Sequence, residues 1–175
     1  STYLGEATSP DGTLTASRVV GNGSGGNEYV AKSITYAANT VYTASVWARL
    51  ESGSVPTAGA ILTVSYTNDG IGTQTRAVVT YSGNLTSTWQ RFSVTYTNVT
   101  AGTYTAFFIA DQNNTAVIQC WGAQVEAGYF ASSYIPTGST TASRSNDAPI
   151  VLGQNFNSWF NPNQGSFYCE FDSIY

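Results

Sequence analysis

The sequence predicts an all-β protein, folded as a two-sheet antiparallel sandwich, and three observations lead to this prediction. Apolar and polar residues alternate along much of residues 13–125 with the period of two that is typical of half-buried strands. Clusters of Gly, Asn and Ser separate these stretches and supply turns, since Gly and Asn tolerate positive φ. No segment shows a sustained helical period. Short strands with regular turn signals are typical of two packed sheets.

Eight segments of the chain carry the strand pattern. The clearest is 41–50, in which alternate residues are apolar and Trp47 and Arg49 lie on the opposite, polar face. The glycine-rich segment 21–26 and the NDG sequence at 68–70 are turn signals. The predicted strands, in chain order, are 13–20, 28–36, 41–50, 60–67, 75–81, 89–97, 103–110 and 115–125.

A change of composition after residue 137 predicts two units in the chain. Residues 1–137 form the sandwich, and the Ser- and Thr-rich segment 138–148 is a linker. Residues 149–175 begin a second β unit or pair with another chain, because one or two strands bury too little apolar surface to fold alone. This last segment carries an apolar set that is too large to leave in water: Trp159, Phe160, Phe167, Tyr168 and Phe171.

A motif near the end of the sandwich is the most specific feature of the sequence. Residues 120–128 read CWGAQVEAG, and SYIPTG follows at 133–138 and ASRSND at 142–147. Upstream, SPDGT at 9–13 and VYTASVWA at 41–48 belong to the same pattern. Together these segments resemble a family of β-sandwich modules in bacteriophage tail-fibre and other virion appendage proteins, which are similar to carbohydrate-binding jelly rolls. The segment after the linker resembles the opening of a concanavalin-A-like or laminin-G-like sandwich.

This resemblance implies a jelly-roll topology and a non-enzymatic module of a phage tail fibre or tailspike. Its role would be adhesion to host-cell surface polysaccharide, or the spacing of a receptor-binding tip, at an extracellular position on the virion. Other virion chains would be its partners, and the resemblance to tail fibres implies a homotrimer. Two alternatives stay open. One is a purely structural module for virion assembly or decoration, and the other is a carbohydrate-binding module of a secreted glycoside hydrolase.

Composition and charge argue against several other functions. The net charge is −4 and the six basic residues are scattered, so no basic field attracts nucleic acid. No apolar run approaches the roughly 20 residues that span a membrane, so membrane insertion is not expected. Histidine is absent, which removes Ser-His-Asp and Cys-His catalysis. The sequence brings no two of its ten carboxylates together as a glycosidase pair, so we predict no catalytic residue.

Four residues are candidates for glycan binding. The apolar face of a sugar ring stacks on a flat aromatic ring, while nearby polar groups bind its hydroxyls. The strand alternation places Trp47 with Arg49, and Trp89 with Arg91, on polar faces rather than in the core. These two Trp–Arg pairs are therefore the predicted carbohydrate-binding residues.

The aromatic residues of the motif itself have a different predicted role. Trp121 alternates with Val117, Ala123 and Val125, a pattern that predicts a place in the core. Tyr134 and Ile135, just beyond the motif, are predicted to pack the exit strand onto the sandwich.

Cofactors are not expected, with one possible exception. Asp11 lies in the turn sequence SPDGT, where loop oxygens can bind Ca²⁺, and related carbohydrate-binding jelly rolls often hold a structural calcium. The first interpretation of Asp11 is nevertheless a turn residue. The two cysteines, Cys120 and Cys169, are expected to be free thiols in different units.

Overall fold

All regular secondary structure in the described residues is β-strand. The computed structural model describes residues 2–21, 23, 27–56, 59–65, 75–80, 84–112, 115–137 and 140–143. All eight predicted strands are present, with ends shifted by one to a few residues. The strands are β1 Thr2–Thr8, β2 Leu14–Val20, β3 Asn27–Tyr36, β4 Thr40–Ser52, β5 Gly59–Ser65, β6 Thr75–Thr80, β7 Gln90–Asn98, β8 Gly102–Gln112 and β9 Val117–Ala127.

The strands form two antiparallel sheets. The five-stranded sheet has the order β1-β2-β9-β4-β7, and the four-stranded sheet has the order β3-β8-β5-β6. The chain crosses repeatedly from one sheet to the other, since β2, β4, β7 and β9 lie in the first sheet while β3, β5 and β8 lie in the second. This is the antiparallel jelly-roll sandwich that was predicted, so the fold class is confirmed.

Strand β1 is an addition to the predicted elements. It lies at the edge of the five-stranded sheet, and Ala7 is its one buried residue. An edge strand with so little burial has no reason to alternate, which is why its sequence carries no strand pattern. Gly5 has a φ of 67°, and the pairing with β2 shifts register on either side of Ala7.

The core lies between the two sheets. On β4 the centre of the apolar face is fully buried, as the alternation predicts: Ala44, Val46 and Ala48 have no exposed surface. The central strand β8 contributes Phe108, which is 2 % exposed and lies opposite Leu62 of β5. The whole buried cluster comprises Val19, Tyr36, Ala44, Val46, Ala48, Ile61, Leu62, Leu85, Tyr96, Tyr104, Ala106, Phe108, Ile109, Ala116, Ile118 and Cys120.

The chain divides into two compact units, Ser1–Thr140 and Thr141–Tyr175. All the strands of the sandwich belong to the first unit. The predicted linker 138–148 is described only at 140–143, which has no regular secondary structure. The predicted second β unit at 149–175, with its resemblance to a concanavalin-A-like or laminin-G-like domain, lies outside the described residues.

Removing the residues after Arg144 is expected to leave the sandwich folded. The buried cluster lies entirely within Ser1–Thr140, so the truncated chain keeps every core contact of that unit. We expect an unchanged melting temperature by circular dichroism, and less self-association by light scattering, because an apolar set is removed. Loss of cooperative unfolding in the truncated chain would mean that the last segment is an integral part of the sandwich.

Candidate functional site

The outer face of the five-stranded sheet, which points away from the core, carries the candidate site. Because Val46 and Ala48 of β4 point into the core, the alternating Trp47 and Arg49 point outward. Ser45 also points outward, yet it is fully buried. Part of this outer face is therefore covered, and part of it is open.

The four predicted residues lie together on this outer face. Trp47 is directly opposite Arg91 in the register of β4 and β7. The guanidinium carbon of Arg49 lies 4.9 Å from the ring centroid of Trp89, a cation–π contact. Facing residues on adjacent strands are roughly 5 Å apart, and alternate residues along a strand about 7 Å apart. The side chains thus form a compact two-by-two set, the Trp–Arg array.

All four side chains of the Trp–Arg array are partly buried. Both tryptophans lie outside the core, as the alternation predicts. Neither ring is freely exposed, because Arg49 lies over Trp89 and Trp47 stands between Arg91 of β7 and Trp121 of β9 in the register of the sheet. Glycan binding by Trp47, Arg49, Trp89 and Arg91 stays a prediction.

A polar network continues from the Trp–Arg array across the sheet. Arg49 donates from Nε to Oε1 of Gln119 at 2.7 Å, and Gln119 donates from Nε2 to Glu51 at 2.6 Å. Arg18 then donates from Nε and Nη2 to the two carboxylate oxygens of Glu51, at 2.8 and 2.7 Å. The hydrogen bond from Arg18 is the main reason why the pKa of Glu51 lies below its usual value.

Replacing Glu51 by Gln is expected to remove a small, pH-dependent part of the stability. Because the folded pKa of Glu51 is lowered, its contribution is complete above the unfolded value near 4.5 and is lost as the pH falls through the folded value. The loss at pH 7 should be a few degrees in melting temperature at most, since partly exposed ion pairs are weak. Melting curves of both proteins should converge in acid; a difference that persists there would mean that packing, not charge, is responsible.

The chain that leaves β9, residues 128–137, forms an exit loop across the covered part of the outer face. Gly128 donates its N–H to Val41 O at 3.0 Å, and Thr43 Oγ1 donates to Gly128 O at 2.9 Å. Thr95 Oγ1 donates to Tyr129 O at 3.3 Å. These bonds hold the loop against β4 and β7, and they are consistent with the burial of Thr43 at 1 % exposed.

Two polar side chains of the motif fasten the exit loop to the sheet. Glu126 Oε1 accepts the N–H of Ser132 at 2.8 Å and a hydrogen bond from Gln124 Nε2 at 2.7 Å. Gln124 Oε1 accepts the N–H of Ile135 at 2.9 Å. The Gln-x-Glu part of the motif therefore satisfies backbone donors of the loop, and the predicted side-chain packing of Ile135 stays a prediction.

The predicted core position of Trp121 is wrong. Trp121 lies opposite Trp47 in the register of β4 and β9, so it points outward, and its ring centroid lies 4.5 Å from that of Tyr134. The reason is a β-bulge: the register shifts between Ser45 and Trp47, and Gly122 has a φ of 62°. An extra residue in β9 changes which face of the sheet the alternate residues occupy. Counting alternate positions along the sequence therefore assigns Trp121 to the wrong face.

The side chains of Asp11 and Cys120 both have structural surroundings that hydrogen bonds or burial define. Asp11 Oδ1 accepts hydrogen bonds from Ser9 Oγ, Thr13 N and Thr13 Oγ1, which together lower its pKa and hold the turn. Among the described residues no group of three or more Cys, Asp or Glu is placed to hold a metal ion. Cys120 is a free, buried thiol whose pKa is raised to about 12 by burial, and Cys169 lies outside the described residues.

Sequence reasoning missed the polar residues that frame the array. Glu51, Gln119 and Arg18 come from three strands, and nothing in their local sequence indicates that they meet. Gln124 and Glu126 could have been found, because two polar residues at a spacing of two within an otherwise apolar motif suggest a shared, non-core face.

Comparison with known proteins gives a likeness of fold. No protein-family model matches the chain, and no curated protein sequence matches it. A solved carbohydrate-binding module, CBM4, is 14 % identical with a TM-score of 0.51, over 73 % of this chain and 85 % of that one. A family 16 carbohydrate-binding module-2 is 12 % identical with a TM-score of 0.49, over 70 % and 82 % of the two chains.

A phage structure is also among the similar folds. The tripod from the baseplate of bacteriophage Tuc2009 is 20 % identical with a TM-score of 0.45, over 71 % of this chain and 50 % of that one. The chain thus spans about half the length of the tripod chain. No helix among the residues described is long and apolar enough to cross a membrane. This protein shares its β-sandwich fold with CBM4, and at this level of identity the likeness is one of fold alone.

Proposed function

We propose that this chain is a non-enzymatic glycan-binding module of a phage virion appendage, a tail fibre or tailspike. The observation that carries glycan binding is the Trp–Arg array, in which two partly open tryptophan rings stand beside two guanidinium groups on one sheet face. The shared fold with a carbohydrate-binding module supports the proposal. The virion assignment rests on the resemblance of the segments 120–128 and 133–138 to phage appendage modules.

The virion assignment also implies the partners. Host-cell surface polysaccharide would be the ligand, and other virion chains would flank the module in an extracellular, trimeric assembly. The carboxylates described above have structural roles, and Asp11 and Glu51 have lowered pKa values. A glycosidase needs a general acid with a raised pKa, so these two groups are poorly suited to that role. No hydrolysis of a bound glycan is therefore expected.

One observation favours a structural module instead. The exit loop covers part of the outer face, and Ser45 and Thr43 lie buried beneath it. The Trp–Arg array on the rest of this face stays partly exposed and is available to a ligand. A carbohydrate-binding module of a secreted glycoside hydrolase would have the same array, and the genes beside the parent gene would distinguish it from a phage protein.

Replacing Trp47 by Ala is expected to weaken glycan binding by on the order of 1–3 kcal/mol, by analogy with base–aromatic stacking. Because Trp47 is only partly buried, the loss of stability should stay below the roughly 3–5 kcal/mol of a buried tryptophan. A glycan array with the whole chain identifies the ligand, and calorimetry then compares the variants. Tyr29→Ala, on β3 of the other sheet, is the control and should bind normally. If the chain binds no glycan in this experiment, the structural alternative is favoured.

A further inference from the structure

Two arginines of the outer face have no carboxylate in direct contact among the described residues. Glu51 is neutralised by the paired hydrogen bonds from Arg18. Arg49 and Arg91 form no ion pair in the described part of the chain, and Arg49 acts on Glu51 only at longer range, where its charge helps to lower the pKa of that carboxylate. Both positive charges thus lie on one sheet face of a protein whose net charge is −4. Unpaired positive charge on an acidic protein is a local attraction for anions.

The guanidinium groups also have hydrogen-bonding capacity to spare. Arg49 uses Nε for Gln119 and lies over the ring of Trp89, and its terminal amino groups have no protein acceptor among the described residues. Arg91 donates from Nη2 to Ser45 Oγ at 3.0 Å. Its Nε is buried and has no hydrogen-bond partner in the described structure. A buried donor without an acceptor is unfavourable, so the Arg91 side chain gains a hydrogen bond when it turns outward to an oxyanion of a ligand.

We propose that the Trp–Arg array selects acidic glycans, whose sugar rings carry a carboxylate or a phosphate. This inference rests on the proposed glycan binding and names its ligand class. Arginine binds both kinds of oxyanion through parallel N–H donors. Arg49 and Arg91 are diagonal neighbours on β4 and β7, roughly 7–8 Å apart, a spacing within reach of long side chains, so one acidic glycan can lie over both positions. The apolar face of the same sugar then lies against Trp47.

Neutral sugars would make weaker interactions with the arginines of the Trp–Arg array. Their hydroxyl groups can accept hydrogen bonds from the arginines, but they bring no charge to balance Arg49 and Arg91. Hydrogen bonds between two charged partners are roughly twice as strong as those between neutral ones. Selectivity for an acidic glycan should therefore decrease as the salt concentration rises, while stacking on Trp47 should not.

The test begins with an array that contains acidic and neutral glycans, using the whole chain. The best acidic binder is then compared by calorimetry with a matched form without charge: the methyl ester of a uronate, or the dephosphorylated form of a sugar phosphate. These two arms distinguish carboxylate from phosphate. We expect the charged form to bind at least about tenfold more tightly, as the loss of a charged hydrogen bond implies.

Variants identify the groups responsible. Arg49→Gln and Arg91→Gln should each remove most of the preference for the charged form, and Arg49→Lys should restore it only in part, because lysine lacks the planar fork. Lys32→Gln makes the same charge change on β3 of the other sheet and should have no effect. Melting curves show that each variant is folded.

Three results would overturn the inference. One is equal binding of charged and uncharged forms, and another is an equal loss in Lys32→Gln, which would indicate attraction by overall charge. In the third, the chain binds only neutral glycans on the glycan array. If Trp47→Ala abolishes that binding, the proposed function stands and the acidic preference fails. If no glycan of either kind binds, the proposed function fails as well.

Discussion

Replacing Phe108 by Ala is expected to destabilise the sandwich by about 3–5 kcal/mol, the usual cost of truncating a buried phenylalanine. Phe108 lies on β8, which pairs with β3 and β5 in the interior of the four-stranded sheet, and it is 2 % exposed. Its register partners, Val30 and Leu62, belong to the same core or pack against it. The cavity left by the ring would be enclosed by both sheets, so little relaxation is possible.

The matched control for this variant is Phe130→Ala, the same chemical change in the exit loop at a side chain that is 76 % exposed. Its effect on the free energy of unfolding should stay within about 0.5 kcal/mol, as for most surface substitutions. Urea denaturation of both variants measures the difference. Equal effects of the two substitutions would contradict the assignment of the core to the space between the sheets.

The substitution Gly122→Ala is expected to have the second large effect. Gly122 has a φ of 62°, which costs a side-chain-bearing residue about 1–3 kcal/mol. A Cβ at this position would lie 3.3 Å from Cδ2 of Tyr134 and 3.4 Å from Cδ1 of Trp47. The contact with Tyr134 is tight, so the exit loop has to shift, and the new methyl group lies in the closest ordinary contact with Trp47 of the Trp–Arg array. We therefore expect weaker glycan binding as well as lower stability.

Gly12→Ala separates the two causes. Gly12 also has a positive φ, 83°, but a Cβ there would meet nothing within 4 Å. Gly12→Ala should lower the free energy of unfolding through backbone strain alone, without a change in the near-ultraviolet circular dichroism of the tryptophans. Gly122→Ala should lower the free energy of unfolding by about 1 kcal/mol more than Gly12→Ala does, as for a modest overpacking of a close contact. If the two glycine substitutions behave alike, the bulge at Gly122 does not position Trp47.

The sequence was sufficient for most of the fold because burial on one face imposes alternation. In β4 and β7 that alternation also predicted correctly which residues point away from the core, Trp47 and Arg91 among them. It failed at Trp121, since a bulge inserts a residue that counting along the chain does not detect. It also failed at β1, whose exposed edge position imposes no alternation.

The candidate site could be predicted only in part. Local patterns selected the four members of the Trp–Arg array, but their proximity depends on the register between strands about 40 residues apart in the chain. The contacts of Glu51, Gln119 and Arg18 depend likewise on the pairing of β2, β4 and β9. Such long-range pairing is set by the whole core, and no single segment encodes it.

The central claim is that the outer face of the five-stranded sheet binds glycan through the Trp–Arg array. The most direct test is an NMR titration of the isotope-labelled chain with the glycan that binds best on the array. It follows the indole N–H signals of Trp47 and Trp89 and the Nε–H signals of Arg49 and Arg91. We expect saturable shifts of these four signals, with the largest changes at Trp47 and Arg91. Saturable binding that leaves all four unmoved, while residues of the four-stranded sheet shift, would contradict it.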